Sequence, residues 1–241
     1  MDIKSKNIKL FLGIIYFVTL VIGLYLLFSV VNIQDLTSYE FIRSNKDIIL
    51  KYKNENFLLS TIIFFIFTIV WMLLMGVLTP LLIFSGFVFG KWWGIIIILT
   101  STTIGATLLY LLAGFFLRDL IEQKLAPKFS KLRESFKKND ILYFMCFRFV
   151  GGGGTPNPIQ NLLPILFDMP VKNYFIATFL GCMPATFVIG AFGSGIEKVI
   201  DQNEEISFST VLFSPEIYIP IIVFFIILFV AFVVGKLYFK Q

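Results

Sequence analysis

The feature that most constrains this chain is an interruption inside an apolar stretch, between residues 141 and 169. The segment reads ILYFMCFRFVGGGGTPNPIQNLLPILFDM, in which one arginine, four consecutive glycines, three prolines and one aspartate break a hydrophobic run. Lipid offers no water to unpaired backbone amides, so such a break at membrane depth persists only where protein or a wet cavity surrounds it. We therefore expect this segment to be the functional part of the molecule.

The composition predicts an integral membrane protein. Hydrophobic residues make up 58% of the 241 residues, and the mean hydropathy is +0.89. The apolar runs cover residues 10–31, 57–75, 77–90, 93–117, 141–150, 159–167, 171–193 and 217–235. Some of them reach the roughly 18 residues that a bilayer-crossing helix needs, whereas the shorter ones are neighbours separated by Gly or Pro.

Basic residues in the short loops predict which loops lie in the cytoplasm. Lys and Arg cluster at the N-terminus, in segment 118–140 and in the C-terminal tail, whereas 197–216 is acidic and 32–56 is balanced. These assignments agree only if two segments, 57–90 and 141–169, enter the bilayer and return to the side they came from. Both termini are then expected in the cytoplasm.

The predicted fold is all-α and polytopic, with a re-entrant hairpin followed by a transmembrane helix, used twice in opposite orientations. Flanking transmembrane helices are expected at 10–31 and 217–235. Three regions are predicted. Residues 1–56 form an N-terminal helix with an external loop, 57–195 form the membrane domain, and 196–241 form an acidic external loop with a C-terminal helix. Gly/Pro-broken segments at matching positions of two inverted halves indicate a transporter with a midplane site. Alternatively, 57–75 and 77–90 are two ordinary crossings.

Arg148 is the main candidate for contact with a ligand. It lies inside a hairpin arm, where a guanidinium costs a few kcal/mol unless it finds a partner, a cavity or a phosphate. Its planar fork of donors suits a phosphate or carboxylate. Asp168, on the other arm, is the expected internal counter-charge. Two structural alternatives stay open, in which Arg148 and Asp168 only staple the hairpin or Arg148 extends to the headgroups.

The glycine run at the hairpin tip is a second candidate site. It lacks the Gly-Lys-Ser/Thr ending of a P-loop and the strand pattern of a dinucleotide-binding motif. In a tip, glycines permit positive φ and leave backbone amides free to meet an anion, although the neighbouring polar groups could instead only satisfy the broken backbone. The expected binding residues are Arg148, Gly151, Gly152, Gly153, Gly154, Thr155, Asn157, Asn161 and Asp168, with Pro80 in the first hairpin.

Segment 118–140 predicts one or two amphipathic helices whose basic face lies on an anionic membrane surface. Its apolar stripe at helical spacing consists of Leu125, Phe129, Leu132 and Phe136. A solvated linker helix is the alternative. Within the 93–117 run, the small hydroxylated residues 100–103 are expected to let helices pack closely.

Several functions are disfavoured by the residues that are present. Histidine is absent and the two cysteines, Cys146 and Cys182, lie in apolar segments, so neither a disulfide framework, a metal nor a cofactor is expected. Asp168 is the only acidic group clearly inside a hairpin, so paired-carboxylate catalysis has no second member and we expect no enzyme. We also expect no nucleic-acid partner.

Small, prolyl and polar residues form an ordered pattern across roughly 60–200. The pattern consists of Pro80, Ser85-Gly86-x-x-Phe89-Gly90, Gly94, Gly105-Ala106, Arg118-Asp119, Phe147-Arg148-x-x-Gly-Gly, Asn161-Leu162-Leu163-Pro164, Asn173-Tyr174, Gly181, Pro184-Ala185-Thr186 and Gly193. It resembles the DedA/VTT superfamily, also called the SNARE-associated Golgi protein group, and is most similar to its Tvp-type branch.

The resemblance implies a membrane domain with two opposed re-entrant hairpins that moves lipids between leaflets. In that family an arginine at the position of Arg148 is functionally important. The chain departs from typical members in two places, because 75–82 lacks the acidic residue tied to proton coupling and Asn157-Pro158 replaces a Pro-Phe pair. The resemblance therefore extends neither to proton coupling nor to the identity of the lipid.

The sequence thus predicts a lipid transporter or scramblase for a phosphate-bearing lipid, either a phospholipid or a polyprenyl phosphate. The expected location is a bacterial plasma membrane, and assembly into a homo-oligomer is left open. One alternative is a small-solute or ion transporter that uses the same hairpins. Another is a membrane scaffold that recruits a partner through 118–140.

Overall fold

The computed structural model describes residues 39–124, 139–150 and 155–201 continuously, together with isolated positions within 13–25, at 136 and within 215–226. All regular elements in the described ranges are helices, so the predicted all-α class is confirmed. In chain order they are α1 (Tyr39–Glu55), α2 (Phe57–Leu73), α3 (Thr79–Phe89), α4 (Lys91–Lys124), α5 (Asp140–Phe149), α6 (Asn157–Leu162), a 3-10 helix (Leu163–Phe167) and α7 (Val171–Asp201).

Two of these helices are long and apolar enough to cross a bilayer. They supply the stretches Lys91–Phe116 in α4 and Val171–Ile196 in α7, each of 26 residues. A third span arises if α1 and α2 are counted together, although this pair is bent by 108° at Asn56. The crossings predicted at 93–117 and 171–193 are therefore confirmed as helices of sufficient length, and the chain is an integral membrane protein.

Each long helix follows a broken helical segment. In the first half, α2 ends at Leu73, α3 begins at Thr79 and α4 starts directly after Gly90. In the second half, α5 ends at Phe149, two short helices fill 157–167 and α7 follows. The breaks fall where the sequence predicted them, so the order of broken segment and long helix occurs twice. The predicted helices at 10–31 and 217–235 lie mostly outside the described residues.

A residue in the left-handed conformation ends the short helix of each half. Gly90, with φ +79, separates α3 from α4, and Asp168, with φ 53, separates the 3-10 helix from α7. Glycine adopts this conformation without steric penalty, and aspartate tolerates it better than most side chains. Each junction that leads into a long helix thus contains a residue with positive φ.

Side chains satisfy backbone groups that the two breaks leave open. In the first break, the Trp71 indole Nε1 donates a hydrogen bond of 2.9 Å to the Val77 carbonyl. In the second, the Gln160 side-chain amide donates one of 2.7 Å to the Thr155 carbonyl. Helix breaks in an apolar setting depend on such substitutes for the lost helical bonds.

The chain divides into two compact units, Met1–Leu78 with Thr100–Cys182 and Thr79–Leu99 with Met183–Gln241. The core of the first unit contains Met72, Ala106, Tyr110, Ala113, Phe136, Phe144, Ile165, Leu166, Phe167, Met169, Tyr174 and Ala177. Ser101 and Thr103 are also fully buried in this unit, which agrees with the packing role predicted for 100–103.

The second unit depends on close backbone contact between α3 and α7. A Cβ atom added at Gly86 would overlap the Gly190 carbonyl oxygen, and one added at Gly193 would overlap the carbonyl oxygen of Ile83. Any larger residue at these positions would force the two helices apart. This is the packing by small residues that is typical of helices in membranes, where lipid supplies no hydrophobic driving force between them.

Candidate functional site

Arg148 occupies the penultimate position of α5 and is buried, with 4% of its surface exposed. Asn139 caps the helix, because its side-chain oxygen accepts the Leu142 backbone N–H, and Asp140 lies in the first turn. An acidic first turn and a basic last turn both complement the helix dipole. The burial also excludes the alternative in which the Arg148 side chain reaches out to the headgroups.

Three neutral side chains hold the Arg148 guanidinium. Its Nη2 donates to the Asn161 amide oxygen at 2.5 Å and to the Tyr174 hydroxyl at 3.1 Å. Its Nη1 donates to the Asn157 amide oxygen at 3.2 Å. The arginine therefore ties α5 to α6 and to α7, and we call these four residues together with Phe144 the Arg148 site.

Aromatic rings complete the Arg148 site. The guanidinium carbon lies 4.9 Å from the centre of the Phe144 ring and 6.0 Å from that of Tyr174, within the range of cation–π attraction. The Tyr174 ring stacks on Tyr110 with centroids 4.5 Å apart. These rings stabilise a charge without neutralising it, because the ring quadrupole carries no net charge.

Gly181 brings α7 against α5 beside the arginine. A Cβ atom at Gly181 would lie 2.6 Å from the Arg148 Cβ and 2.7 Å from the Met145 carbonyl oxygen. Real Cβ atoms do not approach other atoms so closely, so only glycine permits this helix crossing. The crossing places the buried Tyr174, seven residues earlier on α7, within reach of Arg148.

The charge of Arg148 has no acidic partner in the part of the chain that the structure describes. Its Nε is buried and makes no hydrogen bond there. The expected pair with Asp168 is wrong, because Asp168 forms an ion pair with Arg118 at the end of α4. Asp168 ends the 3-10 helix and is partly exposed, so it reaches the more exposed Arg118 rather than the interior. The staple alternative with Asp168 therefore also fails.

The structure brings together only some of the residues predicted to bind a ligand. Asn157 and Asn161 contact Arg148, whereas the exposed Thr155 presents its carbonyl to Gln160. Pro80 is an exposed residue of α3 and belongs to the other compact unit, so its role in binding stays a prediction. The predicted residues that lie outside the described part of the chain are Gly151, Gly152, Gly153 and Gly154.

Sequence reasoning missed two parts of the Arg148 site. Tyr174 and Phe144 lie in apolar runs, where aromatic residues usually contribute only to packing. Tyr174 does carry a signal, because a hydroxyl in a membrane helix needs a hydrogen-bond partner. The family pattern contains the pair Asn173-Tyr174 but indicates no role for the tyrosine. Asn173 in fact donates to both carboxylate oxygens of Asp140, at 3.0 and 2.9 Å.

Phe136, in segment 118–140, packs on the second broken segment. Phe136 is buried, and its ring stacks on Phe167 with centroids 4.1 Å apart. This member of the predicted apolar stripe thus contacts protein. The other members, Leu125, Phe129 and Leu132, lie outside the described residues. The predicted attachment to anionic headgroups stays a prediction.

The site and fold define a class of protein, a helical membrane protein with a buried arginine inside a broken helical segment. The family model of the VTT domain matches residues 76–195. The chain therefore belongs to the VTT-domain family of membrane proteins, and the predicted superfamily is confirmed. No solved structure matches the chain.

Relatives of the chain include proteins of the transmembrane protein 41 type. This chain is 25% identical over 181 residues to the Transmembrane protein 41 homolog of Dictyostelium discoideum. The matched region covers 73% of this chain and 53% of that protein. It is 26% identical over 168 residues to the homolog of Caenorhabditis elegans, covering 67% of each. Transmembrane protein 41B of Mus musculus is 27% identical over 132 residues, 54% of this chain and 45% of its own length. The chain thus spans roughly half to two thirds of these relatives, which are eukaryotic and do not test the predicted bacterial membrane.

Proposed function

We propose that this chain is a lipid transporter or scramblase in which Arg148 receives the phosphate of a lipid headgroup. The observation that carries the proposal is a buried guanidinium whose partners, among the described residues, are all neutral. The main barrier to lipid flip-flop is the burial of an uncompensated charge in hydrocarbon. A fixed cation inside the membrane domain lowers this barrier for an anionic headgroup.

The geometry of the Arg148 site supports binding of a phosphate. Arginine has five N–H donors, and three of them have partners among the described residues, which leaves two for a ligand there. One of the two is the buried Nε. Hydrogen bonds between a guanidinium and a phosphate are stronger than those between a guanidinium and an amide, because both groups are charged. A phosphate can therefore displace a neutral partner of Arg148.

In this proposal the two broken segments are re-entrant hairpins of opposite orientation. The twice-repeated element order and the two left-handed junctions at Gly90 and Asp168 support two related halves. The termini and 118–140 lie on the cytoplasmic side, as the distribution of basic residues favours. The backbone amides of 151–154 add donors for the phosphate. Asp168 is left out because it is an anion paired with Arg118, whereas Pro80 in the first hairpin stays a candidate contact of the lipid.

The test is leaflet exchange of a fluorescent phospholipid in liposomes that contain the purified protein. Arg148→Gln should lower the exchange rate by about tenfold or more, since at least one charge-assisted hydrogen bond is lost. Arg148→Lys should keep part of the activity because it keeps the charge. Arg118→Gln is the matched control, since it removes an exposed arginine outside the Arg148 site.

A full exchange rate for Arg148→Gln, in protein that keeps its thermal stability, would refute the phosphate role. The same vesicles separate the competing functions. Flux of a soluble anion without lipid exchange would select a solute transporter. Exchange that is unaffected by Arg148 but lost on deletion of 118–140 would select the scaffold.

A further inference from the structure

The two ends of the Arg148 guanidinium lie in different surroundings. Both partners of Nη2 are fully buried, since Asn161 is 1% exposed and Tyr174 is 0% exposed. The partner of Nη1, Asn157, is partly exposed, and its bond of 3.2 Å is the longest of the three. The Nη2 end is therefore held inside the protein, while the Nη1 end is more open.

Tyr174 is itself held rigidly. Its ring is stacked between Tyr110, at 4.5 Å, and Phe144, at 5.3 Å between ring centres. Its hydroxyl lies 3.3 Å from the Ala106 carbonyl oxygen in α4 and 3.4 Å from the Asn161 amide oxygen. The single hydroxyl proton can be donated to one of these oxygens, which leaves a lone pair directed at Arg148. The position of the hydroxyl is thus fixed by contacts from three helices.

We propose that Tyr174 is a positioning residue for Arg148, which holds the Nη2 end together with Asn161 so that Nε and Nη1 remain for the phosphate. Asn157 is then the partner that the phosphate displaces. This inference rests on the proposed phosphate role of Arg148. It adds a division of the guanidinium into an anchored end and a ligand-binding end.

The physical reason is that a guanidinium binds an oxyanion through paired, correctly directed donors. The charge of Arg148 does not depend on Tyr174, but the direction of its N–H groups does. Without the hydroxyl, one Nη2 proton loses its partner and the guanidinium can rotate away from the ligand. Small losses of alignment at a polar site have large effects on rate.

The decisive variant is Tyr174→Phe, which keeps the stacked ring and removes the hydroxyl. Tyr110→Phe is the matched control. It removes a buried hydroxyl from the same aromatic stack, one that donates to the Met169 carbonyl at 2.6 Å and does not touch Arg148. Both variants and Arg148→Gln are reconstituted with two fluorescent lipids, one with a phosphate and one, a ceramide, without.

We expect Tyr174→Phe to slow exchange of the phosphate lipid by about tenfold, the effect of losing one hydrogen bond to a charged group. Exchange of ceramide should not change, since ceramide has no phosphate for Arg148 to bind. Tyr110→Phe should not produce such a difference between the exchange rates of the two lipids. A variant that merely loosens the protein would change both lipids alike, which would overturn the positioning role.

A second measurement follows Arg148 directly. Phenylglyoxal modifies accessible guanidinium groups, and mass spectrometry of the Arg148 peptide gives the rate. Tyr174→Phe should raise this rate above that of Tyr110→Phe, and equal rates would contradict the proposal. If Tyr174→Phe does not fold, Asn161→Ser tests the other Nη2 partner with the same expected results.

The outcomes distinguish this inference from the proposed function. If Arg148→Gln exchanges the phosphate lipid at the full rate, the function itself fails. If Arg148→Gln loses exchange while Tyr174→Phe behaves like Tyr110→Phe, the phosphate role stands and only the positioning role of Tyr174 fails.

Discussion

Gly181→Ala is the change that most directly connects the packing of the fold to the Arg148 site. The added methyl group would lie 2.7 Å from the Met145 carbonyl oxygen, which belongs to the backbone of α5. A carbon atom normally stays about 3.3 Å or more from a carbonyl oxygen. The two helices must therefore separate by roughly half an ångström or more, and α5 carries Arg148 with it.

The cost can be isolated by comparison with Gly114→Ala. Gly114 also lies inside a helix, α4, but a Cβ atom there would meet nothing within 4 Å. Both variants gain the same helix propensity, so their difference measures the steric overlap. Overpacking by one methyl group costs about 1–3 kcal/mol. For a chain of this size, Gly181→Ala should then melt roughly 2 to 12 °C below Gly114→Ala.

The assays are thermal unfolding in detergent and exchange of a fluorescent phospholipid in liposomes. Gly181→Ala should also slow exchange, since Arg148 is displaced from Asn161 and Tyr174, while Gly114→Ala should exchange at the wild-type rate. Equal melting temperatures and equal exchange for the two variants would refute the close crossing of α5 and α7 on which the position of Arg148 depends.

Two further predictions concern the surroundings of the Arg148 site. Asp168→Asn should lower the free energy of unfolding by only about 0–1 kcal/mol, because it removes an exposed ion pair. Asp168→Val should lower it by about 1–2 kcal/mol more, because it places a β-branched residue at φ 53. Thermal unfolding of the two variants checks this, and equal melting temperatures would count against the left-handed junction. Phe136→Ala should cost about 3 kcal/mol or more through loss of a buried ring stacked on Phe167. An unchanged melting temperature would show that Phe136 does not pack on the second broken segment.

The long helices could be predicted because each one contains a long, continuous apolar run in the sequence. The runs 93–117 and 171–193 are far too apolar for any other structure in a membrane protein, and α4 and α7 contain them. The breaks were predictable because glycine and proline act on their immediate neighbours. Asn157 and Asn161 were predicted as candidate binding residues, and the structure places both beside Arg148, although their contact with a ligand stays a prediction.

The partners of each charge were harder to predict, because they depend on tertiary packing. Asp168 and Arg148 lie on the same broken segment, so their pairing was the simplest local hypothesis. Arg118, 50 residues away along the chain, takes Asp168 instead. Tyr174 is 26 residues from Arg148, and only the crossing at Gly181 brings them together. The residue pattern within a single helix does not indicate which side chain of another helix it will contact.

The first unit contains a repeated contact in which a glycine of a long helix faces the penultimate residue of the helix before the break. In the first half, a Cβ atom on Gly105 of α4 would meet the Met72 Cβ and the Ile69 carbonyl oxygen, at 2.7 and 3.2 Å. In the second half, Gly181 of α7 faces the Cβ of Arg148 and the carbonyl oxygen of Met145 in the same way. Met72 and Arg148 are each the penultimate residue of the helix before the break.

The two halves thus share a close contact at a glycine, but the side chain opposite the glycine differs between them. The first half presents a methionine, which packs without electrostatic cost, and the second half presents a cation. A second arginine in place of Met72 would add another buried charge to the same unit, and the repulsion between like charges would oppose folding. Because the packing at each glycine depends on the backbone and the Cβ atom, it leaves the rest of the side chain free to differ. The repeat thus places Met72 and Arg148 at matching positions, and under the proposed function only the second half presents a cation to an anionic headgroup.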